Sequence, residues 1–197
     1  MAAVYKNIAN PWMPNGTPDK TNAPSPPYAP GEIGGAFVDQ NTSNTYLRVY
    51  LDSGATSATT VGAVAAGQLA FWKDRSANLV TNDPNFNDTG TAGSCINRVA
   101  GIFQTAVKTA PGTNDANGNP VQYYCDLLIN GKNQPIAANN GVTMVPACAV
   151  IADGTTAKAK TVASTTTAPT QQVLGYSRSS TVGSGVFYAD VAIGFVD

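Results

Sequence analysis

The amino-acid sequence predicts an all-β fold, an antiparallel barrel or sandwich with an extended, proline-rich N-terminal arm. Three observations predict it. Helix-favouring residues are scarce: Glu32 is the only glutamate, while Thr, Val, Gly and Asn, which suit strands and turns, abound. Short apolar runs are separated by Asn, Asp, Gly and Pro clusters every ~10 residues, the rhythm of a sandwich or closed barrel. Seven of the 13 prolines lie between Pro11 and Pro30, where a locked φ and a missing N–H bar the chain from a helix interior or a central strand.

The 197 residues suffice for one domain with a full hydrophobic core. The sequence divides into an arm, 1–32, and a single β-domain, 33–197. The arm spaces Tyr5, Ile8, Trp12, Met13 and Tyr28 among its prolines. A solvating tail would be poorer in aromatics and richer in charge. These side chains are therefore expected to anchor the arm on another subunit, with Tyr5, Trp12 and Tyr28 as its interface residues.

Within the domain, "GAFVDQ" (35–40) is a strand leading through "NTSN" into "TYLRVYL" (45–51), whose Leu47, Val49 and Leu51 share one face. The small, flexible tract at 52–67 reads as a loop. "QLAFWKD" (68–74) and "ANLVT" (77–81) form a strand pair joined by Arg75 and Ser76, and "NDPNFNDTGTAG" is a loop by its turn chemistry. "INRVAGIFQTAV" (96–107) is a longer strand in which Gly101 marks a bulge. In "VQYYCDLLINGKNQPI", Val121, Tyr123, Cys125, Leu127 and Ile129 alternate onto one face. Asn130-Gly131 supplies a type I′ hairpin turn, and Pro135 confines the returning strand to an edge or to a short length. "GVTMVPACAVI" (141–151) is nearly continuously apolar, which predicts a strand buried on both faces. Lys158 and Lys160, on alternate positions, mark an exposed edge. "QQVLGYSRSS" (171–180) and "GVFYADVAIGF" (185–195) close the domain, with Phe187, Ala189, Val191, Ile193 and Phe195 as the inward row.

The charges are few and balanced, 11 basic against 12 acidic residues, without the clustered basic footprint that nucleic acid requires. No apolar run approaches the ~20 residues that span a bilayer. The N-terminus "MAAVYKNIANPW" lacks a secretory apolar core, which predicts folding in a reducing cytoplasm. There Cys95, Cys125 and Cys148 are expected to be free thiols, because no CxxC pair and no histidine is present to complete a zinc site.

The missing histidine also removes the commonest general base and every Ser-His-Asp or Cys-His arrangement. Carboxylate pairs are the remaining catalytic candidates: Asp83 with Asp88, or Asp115 with Asp126. Asp83, Asp88 and Asp115 sit among Asn, Gly or Pro, where a short acidic side chain caps its own turn. The run Asp115, Asn117, Asn119 with Asp126 at the twelfth position imitates a calcium loop, but Pro120 stands where the obligatory glycine belongs. No catalytic site, cofactor or metal is expected. Phe71 and Trp72 point to opposite faces of one strand, so one of them faces away from the core, under a loop or in a subunit contact.

"GQLAFWKD", "NRVAGIFQTAV", "YYCDLLINGKNQPI" and "QQVLGYSRSSTVGSGVFYADVAI" follow a glycine-punctuated strand order that resembles the head decoration (cement) proteins of tailed bacteriophages, over residues 60–195. The resemblance implies a homotrimer clamped on the major capsid protein of a virion shell, made in the host cytoplasm, with no catalysis, no nucleic acid and no membrane. No signature residue of that family can be carried over, so Phe71 or Trp72 as the trimer contact rests on physics alone. A second expectation is a receptor- or glycan-binding β-domain of a viral fibre or spike, its site formed by the Asn/Asp loops at 82–93 and 113–119 with surface aromatics.

Overall fold

In the computed structural model, residues 15–16, 33–39, 41–52, 64–86, 98–104, 123–139, 143–153, 156–162, 172–181 and 185–194 are described. They form β1 (Asn15–Gly16), β2 (Ala36–Asp39), β3 (Thr45–Leu51), β4 (Leu69–Asp74), β5 (Leu79–Thr81), β6 (Val99–Phe103), β7 (Tyr123–Ala137), β8 (Ala149–Ala152), β9 (Ala159–Val162), β10 (Gly175–Ser177) and β11 (Val186–Ala192). The only other regular element among them is a 3-10 turn at Pro84–Phe86. The all-β expectation is met.

The pairings β3–β5, β5–β4, β4–β6, β6–β7 and β7–β3 return to their starting strand and close a barrel. All are antiparallel except β3–β5, which is parallel. A second run, β7–β11–β10–β8–β9, leaves the other half of β7, and a parallel bridge from Ala159 to Ala138 brings its last strand back to the end of β7. At 15 residues β7 is the spine that both runs share. Its first half pairs with β3, from Leu51↔Tyr123 to Thr45↔Asn130, and its second half with β11, from Ala192↔Asn130 to Val186↔Ala137.

That continuity overturns the hairpin expected at Asn130-Gly131. Neither residue has a positive φ, and both pair within the ladders rather than turning. A continuous row of partners on β3 and β11 satisfies the backbone, so the local turn preference yields to the sheet. Gly131 is glycine for a different reason. A Cβ there would lie 2.6 Å from Asn44 Oδ1, because the Asn44 amide crosses the strand to bond Gln134 and the Tyr46 hydroxyl. The left-handed residue falls instead at Asn133 (φ 53), where the register with β11 shifts between Ala189 and Val191. Pro135 fits the interior of the pairing because its partner Tyr188 directs its N–H and C=O to the opposite side, toward Ser179 and Arg178.

The bulge expected at Gly101 is present. Ala70 faces Gly101 and Phe71 faces Val99, which leaves Ala100 as the extra residue. A Cβ at Gly101 would come within 2.6 Å of Leu127 Cβ, so β6 and β7 approach closely only because it is absent. The strand expected over 141–151 shortens to Ala149–Ala152. Before it, residues 145–147 are exposed and Ala147 takes φ 59, for Pro146 can donate nothing to a ladder.

One contiguous core runs through the barrel and on beneath the second run of strands. Leu47, Val49, Leu51, Leu69, Phe71, Ile102, Phe103, Leu127, Ile136 and Phe187 are all buried, and the inward row Phe187, Ala189, Val191 and Ile193 is as expected. Phe195 lies outside the described residues. β3 and β7 depart from one-sided alternation: Tyr46, Arg48, Tyr124, Asp126 and Leu128, on their other face, are buried too. β9, which holds Lys160 and follows Lys158, is the terminal strand in the sheet order, as the alternating lysines predicted, but both lysines are half-buried and Ala159 bridges to Ala138. Of the proline-rich segment, Asn15 and Gly16 pair in parallel with Val38 and Asp39 of the same chain. Tyr5, Trp12 and Tyr28 lie outside the described residues.

Candidate interaction surface

The acidic residues considered for chemistry are engaged elsewhere where the structure describes them. Asp126 stands directly opposite Arg48 in the β3–β7 ladder, and its two carboxylate oxygens accept from Arg48 Nε at 2.8 Å and Nη2 at 2.9 Å. The guanidinium lies 5.3 Å from the Phe37 ring and 5.5 Å from the Tyr124 ring. A carboxylate sequestered in this way is unsuited to hold calcium or attack a glycosidic bond. Asp126 is therefore half of a structural ion pair, neither a calcium ligand nor a member of a catalytic carboxylate pair. Asp83 behaves as the turn residue expected: its Oδ1 accepts the Asn85 N–H at 2.9 Å at the start of the 3-10 turn. Asp88, Asp115, Asn117 and Asn119 lie outside the described residues. Among the described residues no cluster of three or more His, Cys, Asp or Glu is placed to hold a metal ion.

Cys125 and Cys148 are free and buried. Burial pushes the Cys125 thiol far above its ordinary range, and the neighbouring Asp126 charge adds to the effect. Cys95 lies outside the described residues.

Of the two adjacent aromatics on β4, Phe71 is wholly buried and Trp72 faces outward, partly covered. A subunit contact made by this pair therefore falls to Trp72. Its ring carries the Arg75 guanidinium 5.7 Å from the centroid. Around it the β4–β5 turn is tightly built. The Ser76 hydroxyl, at 2.7 Å, and the Ala77 N–H hold the Asp74 carboxyl below its ordinary 3.8, and Lys73 Nζ bonds Asp52 at 2.9 Å.

A second surface lies on β10 and β11. Three large hydrophobic side chains are exposed among the described residues, Val145 at 43%, Tyr176 at 61% and Tyr188 at 38%; the two tyrosines share the β10–β11 ladder, and Val145 lies in the segment before β8. Tyr176 is paired with Asp190, two residues from Tyr188 on the same strand face, so the two tyrosines are diagonal neighbours across the ladder. Val145 precedes β8, and its carbonyl accepts from the hydroxyl of Ser177, whose buried side chain lies on the opposite face of β10 from Tyr176. Between the tyrosines lies a bidentate ion pair: Arg178 Nε donates to Asp190 Oδ1 at 2.7 Å, and Nη2 donates to Oδ2. The Arg178 hydrogen bonds, then the Asn133 N–H at 2.9 Å, hold Asp190 below its ordinary value, and the same pairing raises Arg178. The signal for Tyr188 was present in the sequence, since it is the outward complement of the row Phe187, Ala189, Val191. Tyr176, in a three-residue strand, gave no such alternation.

The arrangement can bind but offers no group poised for proton transfer among the described residues: its two charges satisfy each other, and its aromatic rings face solvent. Compared with protein-family models, curated proteins and solved structures, the chain has no match.

Proposed function

We propose that the protein is a structural virion component that binds the outer surface of a bacteriophage capsid as an oligomer and stabilises the shell, in the manner of head decoration proteins. The exposed Tyr176 and Tyr188, diagonal neighbours on the β10–β11 ladder beside the closed barrel, carry this reading. Isolated apolar side chains on a surface need no explanation, but a contiguous group on a rigid sheet, containing tyrosine and arginine, has the composition of an interface centre. The nearly neutral charge, 11 basic against 12 acidic residues, suits close packing of many copies on a lattice.

The mechanism is linkage. A contact made only in the assembled shell adds free energy to that state, by RT ln(1 + [L]/Kd) for each site filled. The partners are sister copies, in a homotrimer, and the major capsid protein, on the virion surface. The native mass by light scattering tests the self-association, for the full chain and for one starting at Gly31. A trimer is expected for the full chain; a monomer in both forms overturns self-association. The exposed tyrosines beside the Arg178–Asp190 pair also suit the alternative, a glycan-binding β-domain of a fibre or spike. Saturable binding on a glycan array by a monomeric chain would establish that alternative instead.

A further inference from the structure

We propose that the outer edge of β2 is an arm seat, which a single chain fills with its own Asn15–Gly16 strand and which, between copies, takes the same two residues of the neighbour. The proposal rests on the reading of the chain as a self-associating protein and names the edge and the segment that join the copies.

The sheet order has two ends, and they are finished differently. At one, β9 is tied back into the fold: Ala159 bridges Ala138, and its carbonyl accepts the Asn139 N–H at 3.0 Å. At the other, β1 is the only ladder partner of β2 on its outer edge among the described residues. β2 reads Ala-Phe-Val-Asp, without the lysine or proline that keeps an edge from accepting a further strand.

The backbone shows which groups of β2 face the arm. The Gly35 carbonyl accepts the Arg48 N–H at 3.1 Å, the Asp39 N–H donates to the Asn44 carbonyl at 2.9 Å, and the Asp39 carbonyl accepts the Ser43 N–H at 2.9 Å. Gly35 and Asp39 are thus spent on the β3 side. Successive residues of a strand direct these groups to opposite edges, so Ala36 and Val38 turn theirs outward. Val38 is the residue that Asn15 faces. The edge is also held by its own turn, where the Asp39 carboxylate accepts the Asn41 N–H at 3.0 Å and the Thr42 hydroxyl at 2.7 Å. A preformed edge adds a strand without an ordering cost of its own.

Length and composition favour the neighbour's strand in an assembly. β1 and β2 run parallel, and a parallel pair needs a long return connection. Within one chain that connection is residues 17–35, which hold Pro18, Pro24, Pro26, Pro27 and Pro30. The ends it must join lie only ~11 Å apart, three residues along the strand and one strand across. A proline-rich stretch of this length is semi-rigid and can reach ~60 Å. Doubling it back works against that stiffness, whereas leading it to the next copy does not, and the backbone pairing is the same in both. Exchange of an identical element is a low-cost route to an oligomer. Each copy gives one strand and receives one, so the contacts close into a ring when the rotation permits.

A disulfide trap tests where the arm sits. Asn15 and Val38 are register partners one strand spacing apart, ~4.8 Å, within the span of a disulfide. The full chain with Asn15→Cys and Val38→Cys is oxidised by glutathione disulfide, alkylated, denatured without reductant and sized; each single variant controls for the native thiols. Sedimentation velocity of the wild type should show an oligomer, and the double variant should yield covalent oligomers that neither single variant gives. Monomer-sized chains with an internal disulfide, beside an oligomeric wild type, overturn the exchange and leave self-association standing. No disulfide in either form overturns the seat itself. A wild-type monomer overturns both this proposal and the self-association on which it rests.

A second measurement needs no cysteine. Val38→Pro removes the outward N–H and leaves the bonds of Gly35 and Asp39 to β3 intact, with circular dichroism to check the fold. This variant, and a chain starting at Gly31, should each self-associate at least ~30-fold more weakly than the wild type. Mixed in equal amounts they should form a dimer and stop there, since one keeps the arm and the other the seat. Undiminished association of Val38→Pro, or no dimer on mixing, overturns the assignment of β2 as the seat.

Discussion

Cutting the buried ion pair between β3 and β7 should cost a large share of the protein's stability, whereas replacing the pair as a whole should not. Arg48 and Asp126 are directly opposed in the ladder, with side chains 6% and 0% exposed. Asp126→Ala leaves a guanidinium in the core without its bidentate acceptor. Removing one partner of a buried pair typically costs ~3–5 kcal/mol, because the remaining charge keeps its desolvation penalty and loses its compensation. Against a domain stability of ~5–15 kcal/mol, that is about a fifth or more. The surroundings of the guanidinium are apolar, with the Phe37 and Tyr124 rings 5.3 and 5.5 Å away. The double substitution Arg48→Met with Asp126→Leu fills the same volume and removes both penalties, so it should recover all but ~1 kcal/mol of the loss. Urea unfolding of the wild type, Arg48→Met, Asp126→Leu and the double variant completes a cycle whose coupling should reach at least ~2 kcal/mol. A cost below ~1 kcal/mol for Asp126→Ala, or a double variant as unstable as the two singles summed, would refute the reasoning.

Gly175 has φ 148 and a Cβ there would fall 1.9 Å from the Asp190 carbonyl oxygen, so Gly175→Ala should separate β10 from β11 and cost at least ~2 kcal/mol by chemical denaturation. The folded-state pKa of Asp190 is depressed, so its contribution to stability is present above the unfolded value and lost as pH falls through the folded one. Carboxyl NMR should place its titration below the ordinary 3.8, and Asp190→Asn should flatten the acid limb of the melting curve in that window. Ala147→Gly relieves a left-handed alanine, worth ~1–2 kcal/mol, but adds ~0.5–1 kcal/mol of unfolded-state freedom, so a net gain of ~0.5 kcal/mol should appear as a slightly higher Tm. Cys125, buried and with its thiol pushed upward, should resist alkylation at pH 8 until the protein unfolds, as read by mass spectrometry of the native and urea-treated chain.

Much of the strand framework was legible because alternation and turn chemistry act over a few residues. The strand 45–51, the pair at 68–81, the bulge at Gly101 and the inward row of β11 could be read from spacing alone. The terminal place of β9 in the sheet order was legible from the alternating lysines, although Lys158 and Lys160 are half-buried. The candidate surface was only half legible. Trp72 could be assigned outward as the neighbour of Phe71, and Tyr188 by its place opposite Phe187 and Ala189. Tyr176 could not, because a strand of three residues carries too little pattern to show a face.

Residue type and short-range spacing are enough to specify the class of fold, the place of most strands and the absence of histidine chemistry. Which backbone groups find partners is settled only in three dimensions. Asn130-Gly131 has the residues of a turn, yet β3 and β11 supply ladder partners through it, and the strand runs straight on to Ala137. Arg48 and Asp126 are separated by 78 positions and share no local signal, but the register of β3 on β7 sets them face to face. Val145 lies in an apolar run that reads as buried, and it is exposed because Pro146 and Ala147 end the pairing before β8 begins. At Asn130-Gly131 and at Val145 a long-range hydrogen-bonded pairing, formed or withheld, outweighed a local preference, and at Arg48 and Asp126 it created a contact that no local preference encodes.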